Sequence, residues 1–105
     1  MTNLTANMTI TSHDMISENY LRLNISSGGL SRGSIDFISE KINFNISGRS
    51  FFKGMTAINQ LELEYSDGKL IFIFKNKKNL EFNCSLKEFE KVNAHIQTHG
   101  YRKTY

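Results

Sequence analysis

Apolar and polar residues alternate along most of the chain, the two-residue period that sends neighbouring side chains to opposite faces of a β-strand. Leu4, Ala6, Met8 and Ile10 alternate with Thr5, Asn7, Thr9 and Thr11. Leu21, Leu23 and Ile25 are interleaved with Arg22 and Asn24, and Ile35 and Phe37 follow. Ile42, Phe44 and Ile46 enclose Asn43 and Asn45, while Leu61, Leu63 and Tyr65 enclose Glu62 and Glu64. Residues 69–75 read as a strand apolar on both faces, and Leu80, Phe82 and Cys84 end the series with Glu81 and Asn83 outward. Turn signals separate the runs at Gly28-Gly29, Glu40-Lys41 and Asn76-Lys77-Lys78. The strongest is Ser66-Asp67-Gly68-Lys69, whose Asp-Gly pair supplies the positive φ angles of a tight hairpin. Close spacing of this kind predicts about seven short strands in an antiparallel sandwich or small barrel. No proline occurs, so the strand edges must be guarded by charges and by a closing helix.

The period changes once, in SLKEFEKVNAHIQTHG. Leu86, Phe89, Val92 and Ile96 fall on one face of a helix. Ser85 with Glu88 forms a capping-box pattern, and Gly100 is a natural stop. The spacing predicts a helix over 86–98. One domain is expected over 1–105: an N-terminal strand or arm over 1–19, an antiparallel meander over 20–84, the closing helix, and a tail over 100–105.

From Gly33 onward, RGSIDFISEKINFNI forms a first hairpin, FKGMTAINQLELE and DGKLIFIFKNKKNLEF follow, and SLKEFEKVNAHI closes the series. This order, over residues 33–98, resembles the small PH-like domains of the GRAM and bacterial PH kind. In that family a strand passes through a short apolar turn, here around Ile58, into the last strands. The ending of the fold, a Phe, a short loop and a helix with Phe and Val inward, is matched by Phe82, Cys84, Phe89 and Val92. The chain departs from the family in its long N-terminal part and in lacking a tryptophan in the closing helix. The resemblance implies a non-enzymatic binding or scaffolding module, sometimes self-associating. It also implies that a basic early loop is where headgroup-binding members hold phosphate; here that loop has only Arg49 and Lys53.

Composition adds bounds. A formal charge of +3 and a pI near 9.1 make the chain mildly basic, which permits a nucleic-acid partner without arguing for one. The single cysteine, Cys84, forms no internal disulfide and favours a reducing compartment. The first fifteen residues lack the basic and apolar regions of a signal peptide, and the longest apolar run, LIFIF, is far short of a membrane span. A soluble cytoplasmic protein is expected. The Asn-x-Ser/Thr sequons at Asn3, Asn7, Asn24, Asn45 and Asn83 then reflect composition rather than glycosylation.

Candidate chemistry is sparse. Lys75, Lys77 and Lys78 end a hairpin; as point charges they suit phosphate, and as a solvated tip they discourage edge pairing. In GRSFFKG, Phe51 and Phe52 cannot both face inward in a regular strand, so the backbone bulges or one ring is exposed between Arg49 and Lys53. An exposed ring in a basic frame suits a protein anchor, a membrane interface or stacked bases. His95 and His99 have the spacing of two metal ligands but no framing third, and are expected on the exposed end of the helix. Cys84 follows the strand alternation and is expected inside as a small hydrophobe. No nucleophile, phosphate-loop or dinucleotide motif is present, so neither an enzyme nor a cofactor site is expected. The tail, GYRKTY, alternates aromatic and basic residues.

Three readings remain. The first is a protein-binding module using an open strand edge or the loop at Arg49, Phe51, Phe52 and Lys53, with self-association compatible. The second is a phosphate-directed binder of anionic lipid headgroups or nucleic acid through Arg49, Lys53, Lys75, Lys77 and Lys78. The third is a small inhibitor or immunity protein of the mobile-element type.

Overall fold

The computed structural model of the chain describes residues 7–47, 52–74 and 79–100. Within them lie eight strands: β1 (Thr9–Ser17), β2 (Tyr20–Ser27), β3 (Leu30–Ile38), β4 (Lys41–Ile46), β5 (Phe52–Ala57), β6 (Leu61–Ser66), β7 (Lys69–Phe74) and β8 (Leu80–Asn83). A 3-10 turn, Ile58–Gln60, links β5 to β6, and helix α1 (Leu86–His95) runs on into a π-helical turn at Ile96–Gly100. The strands form one sheet in the order β5-β4-β3-β2-β1-β8-β7-β6. Two antiparallel series, β1 to β5 and β6 to β8, meet at one parallel pair, Thr9 opposite Asn83. Asn83 reinforces this seam: its N–H donates to the Met8 carbonyl at 2.9 Å, and its amide reaches the same carbonyl at 3.3 Å.

The alternation of the strands puts one apolar face inside. Leu21, Leu23, Ile25, Ile35, Phe37, Ile42, Phe44, Ile46, Leu70, Phe72, Leu80 and Phe82 are all buried. The sheet curls so far that strands distant in its order touch across the interior. Phe44 of β4 meets Phe72 of β7 edge to face, with ring centroids 5.3 Å apart, and Phe37 of β3 lies 6.4 Å from the same ring. Edge-to-face packing of this kind is the favoured geometry for aromatic quadrupoles. The curl is not completed by hydrogen bonds: β5 and β6 are the two ends of the sheet, and it remains open.

Eight strands replace the expected seven, because β5 has no alternating signal. Its residues opposite the buried Phe44 and Ile42 are Gly54 and Thr56, too small or polar to mark a core face. The first strand also runs on to Ser17, beyond the alternation that ends at Ile10. A bulge after Ile10 shifts the phase by one residue, so that His13 and Met15 face Leu23 and Leu21.

The helix differs from expectation in its buried stripe. Leu86 is exposed, whereas Glu88, Val92 and His95 are buried, and Phe89 and Ile96 flank them partly covered. The Ser85 half of the capping box forms, its hydroxyl accepting from the Glu88 N–H at 3.3 Å. The Glu88 carboxylate turns instead to His13 of β1. After His95 the helix widens into the π turn and reaches Gly100 rather than ending at residue 98.

Candidate functional site

The residues singled out in sequence fall mostly beyond description: Arg49, Phe51, Lys75, Lys77 and Lys78 lie outside the described residues. Phe52 and Lys53 belong to β5, where the backbone register sets them opposite Ile46 and Asn45. Of those two partners, Ile46 is buried and Asn45 exposed.

The geometry draws attention to β6 instead. The two-residue turn that follows it has Asp67 at φ 53 and Gly68 at φ 74, the paired left-handed angles of a type I′ hairpin. Such a turn makes Ser66 and Lys69 the first hydrogen-bonded pair, and the pattern alternates from there. Glu64 and Glu62 therefore spend their backbone groups on β7, while the N–H and C=O of Leu63 and Tyr65 point to the open edge. Among the described residues no strand lies on that side.

Side chains on this edge are sorted as sharply as its backbone. Leu61, Leu63 and Tyr65 face the core but are only partly covered. Glu62 and Glu64 project outward, exposed, opposite Ile73 and Ile71. Next to the start of β6 is a cleft of about 360 Å³ lined by Asn59, Gln60, Leu61, Glu62, Ile73 and Phe74. The run 69–75, apolar on both faces in sequence, thus sets Leu70 and Phe72 in the core and leaves Ile71 and Ile73 on an outer face framed by carboxylates. Compared with protein families, curated proteins and solved structures, the chain matches none.

Other polar groups serve the fold. Asp36 is buried on the outer face of β3 and accepts from Tyr20 Oη at 2.8 Å and from Arg22 Nε and Nη2 at 3.0 and 3.2 Å. The bond to Asp36 holds the Tyr20 hydroxyl protonated above its ordinary range, and the same carboxylate raises Arg22. Cys84 is buried, and desolvation pushes its thiol up to about 12, so it has no nucleophilic character at neutral pH.

All three histidines of the chain fasten the closing helix to the sheet. His13 joins Glu88 near the start of α1. His95 donates to the Ser39 carbonyl at 2.9 Å, and His99 to the Glu18 carbonyl at 3.1 Å; a carbonyl can only accept, so Nε2 carries the proton in both. The expectation of an exposed pair is corrected for His95, whose ring packs T-shaped with Phe37, centroids 5.7 Å apart, and which is 6% exposed. Spacing hid it because a histidine among Leu, Phe, Val and Ile carries no hydrophobic signal. Among the described residues no three His, Cys, Asp or Glu side chains gather as a metal ion needs, and no helix is long and apolar enough to cross a membrane.

Proposed function

We propose that this chain is a non-enzymatic protein-binding module of PH-like design, and that it takes an extended segment of its partner along the free edge of β6. The observation that carries the proposal is the outward row of main-chain groups at Leu63 and Tyr65, beside side chains the core covers only in part. Strand addition uses both: ladder hydrogen bonds supply affinity, and alternate side chains supply specificity. A five-strand and a three-strand series followed by one C-terminal helix supports the PH-like part of the reading.

The test is affinity capture from a lysate of the native source at low and high salt, followed by hydrogen exchange on the purified complex. A protein retained at high salt that slows exchange at the Leu63 and Tyr65 amides is the expected result. A protein that leaves these amides unchanged and is lost with the Phe51→Ala/Phe52→Ala variant would move the contact to the Phe51-Phe52 segment. Lipid or nucleic acid retained only at low salt would replace the proposal with phosphate binding, since phosphate contacts weaken steeply with salt.

A further inference from the structure

The chemistry of the β6 edge points beyond strand addition to the kind of strand it takes. We infer that β6 selects an extended segment in which apolar and basic residues alternate, an inference resting on the strand-addition reading above. A strand laid along β6 sends its side chains alternately to the two faces of the sheet. Those level with Leu61, Leu63 and Tyr65 meet the partly covered rim of the core and are apolar. Those level with Glu62 and Glu64 meet two exposed carboxylates and are basic.

Over the rest of that outer face the described charges balance. Across β7 and β8 it presents Ile73, Ile71 and Glu81, with Lys69 as the described cation. Lys69 is already engaged, 3.3 Å from the Asn83 amide oxygen and 3.9 Å from Glu81. Although the whole chain is formally +3, the described residues of this flank carry Glu62, Glu64 and Glu81 against Lys69 alone, and the two carboxylates at the edge itself are the exposed ones. Ile71 and Ile73 add an apolar floor on which the stems of Lys or Arg can lie while their charged ends reach Glu62 and Glu64.

A second copy of the chain is the wrong occupant. Pairing β6 with β6 brings Glu62 and Glu64 against their own kind, and like charges directly opposite are destabilising. The two glutamates therefore guard the edge against itself and against acidic strands, while leaving it open to basic ones.

Three eight-residue peptides serve as probes for the isotope-labelled full chain: valine alternating with lysine, valine alternating with glutamate, and a valine-lysine peptide with its lysines blocked together. The alternating lysine peptide should slow exchange at the Leu63 and Tyr65 amides and bind about tenfold more tightly than the glutamate peptide. In the Glu62→Lys/Glu64→Lys variant the order should reverse; both positions are exposed, and a dispersed amide spectrum verifies its fold. Equal protection by the lysine and glutamate peptides would overturn the charge selection and leave strand addition standing. Equal binding by the blocked peptide, or a lysine preference unchanged in the variant, would overturn it as general charge attraction. No protection of Leu63 and Tyr65 by any peptide would overturn both.

Discussion

His95 donates its ring N–H to the carbonyl of Ser39, a residue held at φ 52 in the turn between β3 and β4. A left-handed angle is uncommon for a residue with a side chain and persists where neighbours fix it. Here the Ser39 N–H also donates to the Asn19 carbonyl at 2.8 Å. The end of the helix, the β1–β2 turn and the β3–β4 turn thus form one hydrogen-bonded corner, and His95 is its buried member.

Acid should loosen that corner. Burial holds the His95 pKa below the ordinary 6.5, with the neighbouring His99 ring, 4.7 Å away, acting in the same direction. Below about pH 6.5 the unfolded side chain takes up its proton before the folded one, so the unfolded state binds more protons and stability falls as pH falls. The surrounding charges are Glu40 beside Ser39, Glu18 beside the His99 contact and Lys91 one turn back on α1, all exposed. Urea midpoints at pH 7.5 and pH 5 should separate less for His95→Gln, which retains a donor, than for the native chain. An unchanged separation would assign the acid sensitivity elsewhere.

Gly33 should tolerate no side chain. It sits at φ +124, and an added Cβ would come within 1.9 Å of the Asn45 carbonyl oxygen in the neighbouring strand. Gly33→Ala should cost more than about 2 kcal/mol in a denaturant titration, as strain and backbone displacement add. Gly54→Ala, with open space at its Cβ, should change stability by no more than about 0.5 kcal/mol.

Arg22 and Asp36 should be strongly coupled. Removing the guanidinium leaves a buried carboxylate with the Tyr20 hydroxyl as its remaining described partner, so Arg22→Ala should cost about 1–3 kcal/mol. Because Asp36→Ala removes the group that is left stranded, the double variant should be less destabilised than the sum of the singles, and a double-mutant cycle measures the difference.

The Cys84 thiol should be silent in the native protein. With its pKa at about 12, roughly one thiol in ten thousand is ionised at pH 8. Alkylation should therefore follow the unfolding rate and become rapid in denaturant; fast native-state labelling would contradict the burial described.

Much of the sheet was legible because its core positions are filled by large apolar residues at period two, as in Leu21-Leu23-Ile25 and Ile42-Phe44-Ile46. Local alternation does not show the second half of β1, where the period is broken, or β5, where it carries no apolar weight. The β1 bulge shifts the phase so that His13 and Met15, rather than the even-numbered positions that continue from Ile10, pair with Leu23 and Leu21, and Met15 is itself exposed; β5 offers Gly54 and Thr56. For the helix, spacing alone favoured Leu86, whereas the buried stripe is centred on Glu88, Val92 and His95. Two of these are polar residues made welcome by partners, His13 and Ser39, that are distant in sequence and that no local pattern reveals. At the candidate site the LELEY alternation was visible, but the openness of its edge is a property of sheet order.

Every strand pair but one joins neighbours along the chain; the exception, Thr9 with Asn83, joins residues 74 apart. Covalently, the five-strand and three-strand halves are tied through Ile58–Gln60, where Asn59 and Gln60 are exposed and no described ladder spans β5 to β6. A chain divided between Asn59 and Gln60 would lose no hairpin. Each piece would hold half of an aromatic interior, Phe37 and Phe44 on one side and Phe72 and Phe82 on the other. The fold is thereby suited to fragment complementation, in which two separately made pieces regain the native sheet only on meeting.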